Sequence, residues 1–137
     1  MTAYLDTSVL VKLYVKEDGS EKAMALVESA DTVATSVVAY PEVRAALARL
    51  RRDKLLQPAE LARSRRQFDD DWSRFVLIDV TERLALEAGR LADVHGLRGC
   101  DAIPLASFQE LLTGCTNDDV EFSCADDRLA RAARTLG

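Results

Sequence analysis

Histidine and cysteine are scarce in this chain, and long apolar runs are missing. There is one histidine and there are three cysteines, odd in number and without a C-x-x-C spacing. A disulfide framework or a zinc site is therefore not expected, and Cys100, Cys115 and Cys124 read as buried or semi-buried free thiols in a reducing compartment. No apolar stretch approaches the roughly 18 residues that span a bilayer. The N-terminal MTAYLDTSVLVKLYV has no basic region before its apolar residues, and Asp6 interrupts them, so no signal peptide is expected and cytoplasmic residence follows. There is no G-x-x-x-x-G-K, G-x-G-x-x-G or G-x-S-x-G, which disfavours nucleotide-cofactor and serine-hydrolase chemistry. With only three prolines and six glycines, and with no repeat or low-complexity run, residues 1–137 read as a single domain.

The remainder is an ordinary globular composition, 48% hydrophobic and 30% charged, with an acidic balance of -5. That balance taken alone argues against broad binding of nucleic acid. Its distribution is uneven, however. Between Arg44 and Arg66 stand eight basic residues (Arg44, Arg49, Arg51, Arg52, Lys54, Arg63, Arg65 and Arg66) against Asp53 and Glu60, a local +6 beside -11 elsewhere. Such a segment is either a pair of solvated helix faces or a phosphate-contacting flank beside an acidic centre.

Short apolar runs alternate with longer amphipathic ones. Ala3–Leu5, Thr32–Thr35, Phe75–Val80 and Val120–Ser123 read as strands. Helices are expected over Ser8–Tyr14, Ser20–Ser29, Pro41–Arg52, Pro58–Trp72 and Glu82–His95, then from Asp101, and from Asp126 or Asp127 to Thr135. Pro41, Pro58 and Pro104 fall in first turns, where the N–H groups have no intrahelical acceptor, and Gly96 suits a left-handed helix end. Strands separated by helices indicate an α/β chain whose parallel sheet is covered on both faces.

In such a sheet, ligands bind outside the carboxyl ends of the strands. Asp6 follows the first strand directly, Glu42 follows the second, Asp126 follows the fourth, and Asp101 joins them if its helix starts at the same rim. Singly, each acid is better accounted for as a helix cap or dipole partner, worth about 0.3–1 kcal/mol, than as a ligand. Jointly they mean more. Converging carboxylates must take up a proton or be neutralised by a divalent cation, and oxygen ligands without histidine or thiolate select Mg²⁺ or Mn²⁺. Such an ion acidifies water and stabilises a phosphodiester transition state. The hydroxyls of Thr7, Ser8 and Ser36 are placed to hold a ligand carboxylate, though capping explains Thr7 and Ser8 equally well.

At these residues the chain resembles the PIN-domain family, and within it the VapC-type toxins. Four segments carry the resemblance: YLDTSVLVKLY from Tyr4, TSVVAYPEVRAAL from Thr35, LRGCDAIPLAS from Leu97 and FSCADDRLARAARTLG from Phe122. The resemblance implies a three-layer α/β/α sandwich with a parallel sheet of four or five strands. It also implies a Mg²⁺- or Mn²⁺-dependent endoribonuclease that cleaves single-stranded RNA (tRNA, rRNA or mRNA), a homodimer, and a VapB-like antitoxin in the active-site groove. Asp6, Glu42 and Asp101 match the first three family acids. After the last strand the family commonly has Thr-x-Asp where this chain has Cys124-Ala125-Asp126. Asp126 is therefore taken as the fourth acid, with Asp127 one residue away, and Cys124 removes a hydroxyl donor.

His95 reads as a helix-end or surface residue rather than a base, and Trp72, Phe68 and Phe75 as core. Two other functions compete. A phosphoryl-transfer enzyme with Asp6 as nucleophile would want a second acid two residues on, where Ser8 stands. A non-catalytic acidic pocket binding a basic peptide is the other.

Overall fold

A computed structural model describes residues 1–114 and 119–136; Cys115 lies outside them. The elements run β1 (Thr2–Leu5), α1 (Thr7–Leu10), a 3₁₀ turn (Val11–Leu13), α2 (Ser20–Ser29), β2 (Thr32–Ser36), α3 (Ala39–Arg52), α4 (Pro58–Trp72), β3 (Val76–Ile78), α5 (Glu82–His95), α6 (Gly99–Gly114), β4 (Val120–Ser123) and α7 (Asp127–Arg134). The four strands are parallel in the order β3-β2-β1-β4, so β1 is central.

Strict alternation along β1 builds two cores. Ala3 and Leu5 face one side, where Val9, Leu10, Tyr14, Ala23, Val43, Leu47 and Phe68 close over them from α1 through α4. Tyr4 faces the other, against Leu84, Leu91, Leu105, Phe108 and Leu129 from α5, α6 and α7. A central strand buried on both faces reads as continuously apolar, which is why TAYL carries no polar alternation. The architecture is the three-layer α/β/α sandwich with a four-stranded parallel sheet. Phe68 joins Tyr14, Tyr40 and Trp72, and Phe75 stacks edge-on to Trp72, so these aromatics are core.

Several boundaries differ from expectation. The first helix is a single α-turn that tightens to 3₁₀ before Tyr14. The third strand keeps only Val76–Ile78 of Phe75–Val80, because β2 offers it just three paired positions at the sheet edge. The Asp101 helix begins two residues earlier, at Gly99. Cys100 is exposed rather than buried, since it points outward in that first turn, and Cys124 is partly buried; both are free. Gly96 ends α5 at φ 63°, the left-handed turn that leads the chain into α6. Among the described residues no helix is long and apolar enough to cross a membrane.

Candidate active site

The strand register places the acids. Leu5 pairs with Ser123, the Asp6 N–H donates to the Ser123 carbonyl at 3.0 Å, and the buried Thr35 hydroxyl donates to the Leu5 carbonyl at 2.7 Å. The chain therefore leaves β1, β2 and β4 at one rim. Asp6 sits at the N-terminal end of α1 but makes no side-chain cap there. Its Oδ2 accepts the Ser8 hydroxyl at 3.0 Å, and Ser8 Oγ in turn accepts the Ala125 N–H at 3.1 Å, fastening the end of β4 to the end of β1. Glu42, in the first turn of α3, accepts the Thr7 hydroxyl at 3.0 Å. Asp101, in the first turn of α6, accepts from Arg98 Nε at 3.0 Å and is only 26% exposed. Thus Thr7 and Ser8 each hold an acid, one of the two roles their sequence positions left open. Ser36 instead accepts the Val38 N–H at 3.3 Å, steadying the entry to α3.

Three of the acids share one electrostatic field. Burial holds Asp6 above the ordinary carboxylate range, and the charge of Asp101 adds to this against the Ser8 hydroxyl. Glu42 is raised as well, first by desolvation of its carboxyl end (although the residue as a whole is exposed), then by the charges of Asp6 and Asp101. Asp126 is more peripheral. Its side chain caps α7, accepting the Leu129 N–H at 3.1 Å, while its charge reaches Cys124 and Arg98. Asp127 is the first residue of α7. Burial pushes the Cys124 thiol up to about 11, with Asp6, Asp126 and Asp127 contributing, so it stays a neutral thiol near neutral pH. Beneath the rim, the Tyr4 hydroxyl is fully enclosed without a hydrogen bond of good geometry, in the field of Asp6 and Glu42.

Among the described residues, no group of three or more acidic, cysteine or histidine side chains is placed to hold a metal ion as the side chains stand. Each acid is turned onto a protein donor: Ser8, Thr7, Arg98 or the α7 amide. The donor chemistry nonetheless fits a hard divalent cation. Asp6, Glu42 and Asp101 are oxygen ligands whose mutual repulsion a cation would relieve. A cleft of about 850 Å³ runs instead beside β4, lined by residues such as Lys12, Lys22, Phe122 and Asp127 and by none of the four acids. Sequence reading passed over Arg98, whose i,i+3 spacing to Asp101 across a helix start was the available signal.

A four-stranded parallel sheet wrapped on both faces, with acids at its carboxyl rim, defines an α/β domain of the acid-centred kind. The PIN domain family matches residues 3–135. Ribonuclease VapC45 and Ribonuclease VapC49, both from Mycobacterium tuberculosis, are each 44% identical over 104 residues, 76% of this chain and 72% of theirs. The chain therefore belongs to the PIN-domain family and, within it, to the VapC ribonucleases. Two solved structures share the fold at TM-score 0.66. One is a toxin–antitoxin complex from Klebsiella pneumoniae, 19% identical and covering 90% of this chain and 86% of that one. The other is FitAcB from Neisseria gonorrhoeae, 17% identical and covering 96% and 93%.

Proposed function

We propose that this protein is a Mg²⁺- or Mn²⁺-dependent endoribonuclease cleaving single-stranded RNA, the toxin of a toxin–antitoxin pair acting in the cytoplasm. The observation that carries the reading is the convergence of Asp6, Glu42 and Asp101, where burial first and the charges of the neighbouring acids second raise Asp6 and Glu42, in a chain 44% identical to VapC ribonucleases. Asp6, Glu42 and Asp101 would hold the ion, with Asp126 at its edge. A bound divalent ion supplies Lewis acidity to a phosphodiester and to the attacking water. The protein's own part is placement: Ser8 orients Asp6, and Thr7 orients Glu42.

The basic flank is the natural track for the RNA backbone. Arg49, Arg52, Lys54, Arg63 and Arg66 are exposed, whereas Arg44 is drawn to Asp69 at 3.5 Å and Arg51 to the Leu56 carbonyl at 3.4 Å. A related structure described as a toxin–antitoxin complex supports a VapB-like antitoxin as the partner, and a homodimer as the working form is part of the same proposal. Purified protein incubated with Mn²⁺ should cut a single-stranded RNA, and chelation or Asp6→Asn should abolish the cutting. Cleavage no greater than that of Asp6→Asn would overturn the reading. Calorimetry separates the peptide-binding alternative, which predicts no heat with Mn²⁺.

A further inference from the structure

Arg98 stands at the mouth of the site, and neither the acid set nor the basic flank accounts for it. Its carbonyl accepts the N–H groups of Asp101 and Ala102 at 3.0 Å each, so the start of α6 fixes its backbone. Its side chain is 80% exposed and spends Nε on Asp101 Oδ2 at 3.0 Å. A guanidinium carries five N–H donors in a planar fork. One serves Asp101, leaving the terminal nitrogens at the surface. Its proton is held more tightly by the bond to Asp101, and the field of Asp126 also reaches it.

Two physical points follow. An exposed i,i+3 pair of this kind contributes little to stability, about 0–1 kcal/mol, so it separates at small cost. The pair also occupies the carboxylate that a divalent ion would need, so guanidinium and ion compete for Asp101. A phosphodiester approaching Asp6, Glu42 and Asp101 meets net repulsion unless a cation stands at the rim, and a planar guanidinium matches phosphate oxygens two at a time.

We propose that Arg98 is a substrate-phosphate arginine parked on Asp101: it neutralises that carboxylate in the ion-free protein and turns to the RNA backbone when Asp101 is committed to a metal ion. The inference rests on the ribonuclease reading for its second half only. Competition for Asp101 concerns the protein alone.

The test uses Arg98→Gln and Arg98→Lys in the full chain, with thermal melts to show that both fold. In calorimetric titration with Mn²⁺ and no RNA, Arg98→Gln should bind the ion several-fold more tightly than the parent, because its competitor is gone. Weaker or unchanged binding would overturn the proposal and make Arg98 a residue that merely orients Asp101. At saturating Mn²⁺, Arg98→Gln should raise KM for a single-stranded RNA about tenfold, with kcat changed less. It should also lower the slope of log KM against log salt by about 0.7, the loss of one phosphate contact to a single strand. Arg98→Lys should keep the salt slope and recover only part of KM, since an ammonium contacts phosphate as a point charge. A salt slope unmoved by Arg98→Gln would overturn the phosphate role. If no RNA is cut at all, the ribonuclease reading fails, while the Mn²⁺ titration still decides the competition.

Discussion

Asp6 shows how one residue carries two opposed requirements. It follows an apolar strand, so the fold half-encloses it, and that enclosure together with Asp101 penalises its charge. Because its folded-state value lies above its unfolded one, folding takes up a proton between them. The stability it contributes is whole below the ordinary carboxylate range and is lost as pH rises through the raised folded value; Glu42 acts in the same sense. With chelator present, Asp6→Asn should therefore melt at a higher temperature than the parent at neutral pH. The gap should close as pH is lowered through the carboxylate range. Melting curves across pH read this directly, and a variant that melts lower at neutral pH would mean that Asp6 is stabilised as an anion. The same substitution should reduce cleavage at least about a hundredfold, the scale on which removing a preorganised charged group acts.

At the scale of the element, α7 presents Asp126 with two roles, and two substitutions separate them. Asparagine keeps an oxygen to accept the Leu129 N–H, so Asp126→Asn should leave stability within a few tenths of a kcal/mol. Alanine removes the cap and should cost about 1 kcal/mol in chemical denaturation. If Asp126 also serves the ion, both variants lose activity alike; if it only caps, Asp126→Asn retains full activity. The starts of α4 and α5 were legible from their residues. Thr81 caps α5 through the Leu84 N–H at 3.1 Å, and Gln57-Pro58 opens α4 with Glu60 reaching back to the Gln57 N–H at 2.9 Å. The end of α1 was not legible: its apolar run continues to Val15, and only packing against α2 and α3 decides where the α-turn gives way to 3₁₀.

For the whole molecule, the chemistry depends on charge held against repulsion, and ligand binding should report on it. An ion that binds only the folded state stabilises by about 2.7 kcal/mol at a hundredfold excess over its Kd. Saturating Mn²⁺ should accordingly raise the parent's Tm by several degrees, chelator should reverse it, and Asp101→Asn should lose most of the shift. An unchanged Tm in the parent would count against a metal centre. The acidic total of -5 is no obstacle to RNA on this view. Charge of one sign collects at the sheet rim, and the other gathers between Arg44 and Arg66, on α3 and the first half of α4.

Sequence alone determined the local rules: a doubly buried TAYL strand, alternating strands and helices that require a sandwich, and acids placed after three of the strands. These depend on periodicity and on chain order, both of which the sequence displays. Only the tertiary structure decided that Asp6, Glu42 and Asp101 share one field while Asp126 spends its side chain on α7, and that Thr7 and Ser8 are tied to acids. The reason is distance: electrostatic coupling depends on separation in space, and residues dozens of positions apart come together only when the parallel register and the start of α6 have been set.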